Sequence, residues 1–373
     1  MEKPHLTIIL STHYSLDGAE ICGYLERFET LFFEYGKHFK VVVFSSDSKN
    51  YSVQLGIQHR SLNMKKKIFV LWHFVYYLWL VVQANNMKGV IKVFGSNIPT
   101  LPLIKLISKR PLIVTYEWEY GDKVMKDERN IVRRFFAYPM EYLAIISANL
   151  VLVTTKRLEM IVTRRFHKKT GVIPNWVDMR SVLPGLNSIQ RSDNLILYAG
   201  RLVTIKGVDI LIKSFARIKK LFPDLQLMIC GSGEQEKNLI ALAASLCIED
   251  IVFKGAIPNK QLLELMQSAA IFVLPTITVE GHPRSLIEAM ACGCACIATD
   301  VLGNNDVIQN QLNGLLVPPN DIGALEKGIL KLLQNKELRK KLGSRAQMDV
   351  GKLSINRVVG QEIEYLLPLA NAH

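Results

Sequence analysis

The sequence lacks most of the features that would set it apart from an ordinary globular chain. No low-complexity tract interrupts its 373 residues, and no unit of about 20 to 50 residues recurs, which excludes disordered chains, solenoids and propellers. Cysteine is scarce, six in all. Three fall at alternate positions in CGCAC (Cys292, Cys294, Cys296), with no histidine or second cysteine pair at zinc spacing. That sets aside both a secreted disulfide framework and a zinc module. Small buried residues at a helix end and in the next strand are the simpler reading, and a reducing cytoplasm fits. The opening MEKPHLTIILSTH has too short an apolar run for a signal-peptide core and is expected to be a first strand. No apolar run has the length of a membrane span either. The longest, residues 68–82, is broken only by His73 and as a helix would measure about 22 Å, against about 30 Å of hydrocarbon.

What is present is an ordinary globular composition at a length that makes two domains the default. At 49% hydrophobic and 21% charged the chain is ordinary, and its length exceeds what one core usually supports. Its net charge of +13 is unevenly placed: residues 51–200 hold 22 Lys+Arg against 9 Asp+Glu, while the last 173 residues are close to balanced. A one-sided excess of this kind fits a polyanion near the N-terminal half, either nucleic acid or an anionic lipid surface. Short apolar runs alternate with helical patterns throughout. LTIIL, KVVVFSS, VIKVFG, PLIVTY and NLVLVTT read as buried strands in the first half; LILYAG, LQLMICG, IVFKG, IFVLP and ACIATD do so in the second. Such alternation implies parallel sheets covered by helices on both faces. The polar stretch 175–193, NWVDMRSVLPGLNSIQRSD, reads as a linker between the two series. The expectation is α/β: two Rossmann-like, doubly wound domains, with ligands at the carboxyl ends of the strands and a cleft between the domains as the site.

The apolar segment within MKKKIFVLWHFVYYLWLVVQ carries Trp72, Trp79, Tyr76 and Tyr77 behind Lys65, Lys66 and Lys67. It reads equally as a helix lying in a membrane interface and as a packing helix of the first domain, and one face could serve each role. Further basic helical sequence in NIVRRFFAYPMEYL and VTRRFHKK favours peripheral attachment to an anionic membrane.

Four features carry chemistry in the second half. In YAGRLVTIKGVDILI a strand ends at Gly200–Arg201, and Lys206–Gly207 precedes a helix. A guanidinium, an ammonium and a helix N-terminus together make a phosphate site. CGSGEQE places Gly231 in a strand-to-helix turn, and FKGAIPNKQL places the Ile257 backbone where a flat base could lie; both signals are weak alone. Finally, VEGHPRSLIEAMACG holds two carboxylates, Glu280 in a loop and Glu288 in the helix after it. Carboxylates accept hydrogen bonds, and sugar hydroxyls are the natural donors. Two hydroxyl-binding acids beside a phosphate site have the layout of a nucleotide-sugar. Either acid alone would be an unremarkable helix or loop residue.

Together, AGRL with Lys206–Gly207, GSG, the Glu-x7-Glu motif ending in EAMACG, VIPNWVD and TDVLGNNDVIQNQLNGLLVPPND resemble the family-4 retaining glycosyltransferases, strongly over about residues 172–333. The resemblance implies the GT-B fold, with domains at 1–176 for the acceptor and 177–350 for the nucleotide-sugar, and a helix in 351–373 crossing back to the first. By motif, Arg201 and Lys206 would hold the diphosphate, Glu288 the ribose and Glu280 the transferred sugar. Backbone groups of Gly281, His282, Arg284, Ser285 and Leu286 would meet sugar and phosphate. HYSLDGAE resembles the family's glycine-rich loop with Asp17 for its first glycine, which puts Gly18 beside the phosphates. Where many relatives have a histidine, this chain has Glu117, an acid able to orient the acceptor; His13 is a second candidate. Asn305 and Asp306 replace a frequent Pro-Glu.

The expected activity is therefore retaining transfer of a sugar from a GDP- or UDP-sugar co-substrate to a glycan or lipid-linked acceptor at the cytoplasmic face of a membrane. No resident cofactor or metal is expected, because no Asp-x-Asp stands in the usual place. A sugar-nucleotide epimerase on the same fold is the nearest alternative. A non-catalytic sugar- or nucleic-acid-binding protein is another, disfavoured because the aromatics sit in an apolar helix rather than among basic residues. The oligomeric state is not legible.

Overall fold

The computed structural model of the chain describes residues 2–11, 14, 16–21, 25–52, 57–63, 69–117, 131–182 and 190–371. Two compact units divide it: Met1–Pro174 with Asn356–His373, and Asn175–Ile355.

The first unit is built on seven parallel strands among the described residues, β1 (His5–Leu10), β2 (Lys40–Ser45), β3 (Gln58–Ser61), β4 (Val90–Phe94), β5 (Leu112–Tyr116), β6 (Leu150–Val153) and β7 (Thr170–Val172). Their order is β3-β2-β1-β4-β5-β6-β7. Because helices cover both faces, β4 and β6 are buried along their whole length and read as continuous apolar runs. One residue of β4 breaks that rule. Lys92 is buried opposite Ile8, and its ammonium meets Glu362 of the Ile355–Asn371 helix. Tyr35 closes the cluster: Lys92 donates to its hydroxyl at 2.5 Å, and that hydroxyl donates to Glu362 Oε2 at 2.7 Å. The same helix packs Tyr365 over Gly171, where a Cβ would stand 2.8 Å from the ring. Residues 356–371 are thus part of the first unit's core.

The apolar segment forms the Phe69–Gln83 helix, whose faces differ. Trp72, Tyr76, Tyr77 and Leu80 are buried, while Phe74, Leu78 and Val82 are exposed. It packs beside the Leu101–Ser108 helix, which in turn packs on Ile131–Ser147. Those neighbours also present apolar side chains to solvent, with Leu106 at 72% and Phe135 at 74% exposure. Lys65, Lys66 and Lys67 lie outside the described residues. Among the described residues, no helix is long and apolar enough to cross a membrane.

The second unit has six parallel strands among the described residues: β8 (Leu195–Ala199), β9 (Gln226–Cys230), β10 (Ile251–Gly255), β11 (Ile271–Leu274), β12 (Ala295–Thr299) and β13 (Leu315–Val317). They run in the order β10-β9-β8-β11-β12-β13. The chain winds outward one way from β8 and then the other way from β11, so the switch point lies between those two strands. The loops leaving their carboxyl ends therefore lie on either side of the switch point, where ligands of such sheets bind. Cys292, Cys294 and Cys296 are fully buried in this unit's core, and burial pushes their thiols up.

Candidate functional site

Two loops of the second unit flank its switch point: residues 200–207 after β8, and 275–283 after β11. Glycine lets them approach. Gly207 sits at φ +63°, between a short 3-10 turn (Thr204–Lys206) and the Val208–Lys219 helix, and a Cβ there would stand 2.2 Å from Pro275 O. Ile277 N–H donates to Ile205 O at 2.9 Å and ties the same two loops.

Lys206 therefore meets Glu280 as an ion pair, both side chains largely shielded from solvent. Thr276 Oγ1 donates to the same carboxylate oxygen at 2.7 Å. Arg201 is exposed near the start of the first loop, and Tyr198 connects the groups. Its hydroxyl donates to Arg201 O at 2.9 Å. Burial, then the charge of Glu280, push that hydroxyl up, while Arg201 pulls it the other way. Lys206 and Glu280 thus pair across the two loops, and Arg201, exposed, lies in the same loop as Lys206.

Glu288, the fourth, lies in the Arg284–Ala291 helix as expected and is buried, 5% exposed, which sets aside an exposed helix residue. Asn259 Nδ2 donates to its Oε1 at 3.3 Å, bringing in the loop that carries the half-buried Ile257. Gly231 has a packing reason of its own: at φ +134° a Cβ would lie 1.9 Å from Gly200 O, so only glycine lets the loops after β8 and β9 touch.

The loop between the acids is held on two sides. Glu280 N–H donates to Leu302 O at 2.9 Å, and Gly303, at φ +94°, leaves room for Glu280 O and Gly281 O, which a Cβ would approach within 2.5 and 2.7 Å. Opposite, Asn175 N–H donates to His282 Nδ1 at 3.1 Å, and Asn175 Nδ2 to His282 O at 2.6 Å. Burial, then Arg284, push His282 down to about 4. Arg284 and Ser285 are half-buried, whereas the Leu286 side chain is wholly in the core, so only its backbone could face a ligand. The helical ladder starts with Ile287 N–H to Pro283 O at 3.2 Å, which leaves the preceding turn without helical partners.

Gly18 and Glu117 lie in the first unit. Gly18 is within the short Leu16–Ile21 helix, whose Asp17 N–H donates to Asp47 Oδ1 at 3.0 Å; the buried Asp47 carboxylate therefore already stands at that helix start. Glu117 follows β5 and accepts from the Tyr14 hydroxyl at 2.9 Å. His13 lies outside the described residues. Among the described residues no cluster of His, Cys, Asp or Glu is arranged to hold a metal ion.

Residues 185–349 match the model of the family described as glycosyl transferases group 1. The second unit is a group 1 glycosyltransferase domain. Among curated relatives, an uncharacterized glycosyltransferase of Haemophilus influenzae is 31% identical over 221 residues, 59% of this chain and 61% of that protein. The N-acetylgalactosamine-N,N'-diacetylbacillosaminyl-diphospho-undecaprenol 4-alpha-N-acetylgalactosaminyltransferase of Campylobacter jejuni is 29% identical over 202 residues, 54% of each chain. The match thus spans little more than half the length of these relatives. In fold the likeness covers both units. Sucrose-phosphate synthase from Thermosynechococcus elongatus superposes with a TM-score of 0.80 at 20% identity, covering 99% of this chain and 100% of that one. Anabaena Alr3699/HepE superposes at 0.77 and 18% identity, covering 98% and 99%. The fold is GT-B, as expected from the sequence.

Sequence reasoning missed the residues that hold this group 1 site in place. Asn175 stands in VIPNWVD and opens the 175–193 stretch that reads as a linker, and its position just after a proline and before the second strand series is the available signal. Thr276 and Asn259 gave none, since a threonine after a strand and an asparagine at a helix start are commonplace.

Proposed function

We propose that the chain is a retaining glycosyltransferase that moves a sugar from a GDP- or UDP-sugar to a glycan or lipid-linked acceptor at the cytoplasmic face of a membrane. The observation that carries the reading is the Lys206–Glu280 ion pair at the switch point of the group 1 domain, in loops that also carry Arg201, with Glu288 buried in the following helix. Arg201 and Lys206 supply two positive charges where a diphosphate would gain negative charge as it leaves. Lys206 is neutralised by Glu280 without ligand, so an arriving phosphate would draw the ammonium and release the carboxylate to accept from sugar hydroxyls. Glu288 takes the ribose hydroxyls, and the first turn of the Arg284–Ala291 helix offers N–H groups between them.

In the transfer step the anomeric carbon's bond to the phosphate oxygen breaks, and an acceptor hydroxyl bonds to that carbon on the same face. The hydroxyl proton passes to the departing phosphate. Glu117, already oriented by Tyr14, positions the acceptor. With two side-chain cations at the leaving group, the reading needs no divalent ion.

Names of relatives support a lipid-linked acceptor: the Campylobacter enzyme acts on a diphospho-undecaprenol-linked saccharide, and a Mycobacterium leprae relative, 33% identical over 172 residues, is a phosphatidyl-myo-inositol mannosyltransferase. The exposed apolar face of the Phe69–Gln83, Leu101–Ser108 and Ile131–Ser147 helices supports attachment to a bilayer. Exposed Lys109, Arg164, Arg165 and Lys169 supply basic charge on the same unit.

The test is a thermal-shift screen of UDP- and GDP-sugars, followed by turnover. A donor at a hundred times its Kd stabilises by about 2.7 kcal/mol. Arg201→Ala and Lys206→Ala are expected to lose on the order of a hundredfold or more in turnover while remaining folded. Near-normal rates in both would remove these residues from the mechanism, and a screen with no shift would remove the nucleotide-sugar.

A further inference from the structure

Asn175, the first residue of the second unit, commits its backbone N–H and both ends of its side-chain amide to one short stretch. Its backbone N–H donates to His282 Nδ1 at 3.1 Å, its amide nitrogen to His282 O at 2.6 Å, and its amide oxygen accepts from Arg284 Nε at 3.3 Å. The amide orientation follows from its neighbours: the reversed amide would set oxygen against a carbonyl and NH2 against a guanidinium. The ring state follows too. Since Nδ1 accepts, the neutral imidazole carries its proton on Nε2.

None of these bonds reaches the hydrophobic core, and all end on residues 282–284. That stretch needs an external brace. Pro283 has no N–H to give, it stands at the start of the Arg284–Ala291 helix with no side-chain cap, and Leu302 holds the loop only at Glu280. Without Asn175, the His282 carbonyl and the Arg284 side chain would each lose a hydrogen-bond partner that ties this loop to the start of the unit.

We propose that Asn175 is a positioning residue for sugar transfer: it clamps residues 282–284 so that the loop and the helix start stand preset against the sugar and its adjoining phosphate. This rests on the transferase reading above. A preset loop acts on the reacting end of the donor, whereas Glu288, one turn into the helix and bonded to Asn259, is where the nucleoside would be held.

The experiment compares the full chain with Asn175→Ala and Asn175→Asp, using the UDP- or GDP-sugar that gives the largest thermal shift on the unaltered protein. Asp keeps the size and the acceptor for Arg284 but turns a second oxygen towards His282 O. Both variants are expected to lose about tenfold or more in kcat for sugar transfer or donor hydrolysis. The ligand-free melting temperature should stay close to that of the parent. The matching nucleoside diphosphate, UDP or GDP, should bind as before, while the nucleotide-sugar loses its additional stabilisation. A purely structural role would weaken both ligands alike and lower the ligand-free melting temperature; that result overturns the proposal, as does kcat within about twofold of the parent. If the unaltered protein neither binds nor turns over any nucleotide-sugar, the transferase reading itself falls, and this inference with it.

Discussion

His282 makes the acid stability of the second unit a calculable quantity. Its Nδ1 accepts from Asn175 and its ring is buried, so folding demands the neutral imidazole, and burial and Arg284 push it down to about 4. An unfolded histidine titrates near 6.5. The unfolded chain therefore takes up the proton first. Stability from this residue is complete above about pH 6.5, declines as pH falls towards 4, and levels off below; the whole span is worth roughly 3 kcal/mol. His282→Asn removes the titration while Oδ1 can still accept the Asn175 N–H. Between pH 7 and 4.5 the variant's second unit should lose about 2 to 3 kcal/mol less than the parent's. Hydrogen exchange at β8 and β11 amides reads this, and β1 and β4 serve as the control. His59 in the first unit, which burial also holds down at about 4, is untouched by the substitution. An identical acid slope in both proteins, or a His282 ring signal that titrates near 6.5, refutes the reasoning.

Three further outcomes are expected. Gly207→Ala puts a Cβ 2.2 Å from Pro275 O at a φ that costs an L residue about 1 to 2 kcal/mol; donor-induced thermal stabilisation should vanish, and a normal shift would show that the two loops need not touch. Glu362→Gln leaves Lys92 buried without a counter-charge and should cost the first unit about 3 to 5 kcal/mol, with most of it recovered when Lys92→Met is added; exchange at β4 amides measures this. Replacing Phe74, Val82 and Leu106 together by serine should weaken co-sedimentation with phosphatidylglycerol vesicles about tenfold or more, since each apolar side chain buried in lipid is worth up to about 2 kcal/mol; unchanged binding would take this face out of any membrane contact.

Most strands that sequence reasoning found are sealed on both faces, because burial forces a continuous apolar run: β4 and β6, β8 and β11; β10 is the exception, an edge strand that alternates with solvent and still shows in IVFKG, although it is not the buried strand expected there. Those it did not find are short strands at the other sheet edges. β3 reads Gln-His-Arg-Ser and pairs only with β2; β7 and β13 have three residues each and also end their sheets. An edge strand of only three or four residues is too short to show either an apolar run or an alternation. At the site, charge was legible and support was not. Arg201, Lys206, Glu280 and Glu288 announce themselves by residue type and by resemblance. That Lys206 and Glu280 pair directly, or that Asn175 holds the intervening loop, depends on which loops the strand order makes neighbours, and no local pattern encodes that.

The buried ammonium of Lys92 has a consequence for how the chain is made. Its carboxylate partner, Glu362, is translated only after every strand of the second unit. While the nascent chain grows, the earlier sheet must either keep a desolvated positive charge or leave β4 accessible to water, so it stays an unfinished intermediate until the distant segment arrives. Synthesis of this protein should accordingly depend on holdase chaperones at that stage, and a ribosome stalled before residue 356 should carry a protease-sensitive first unit alongside a second unit that has already closed.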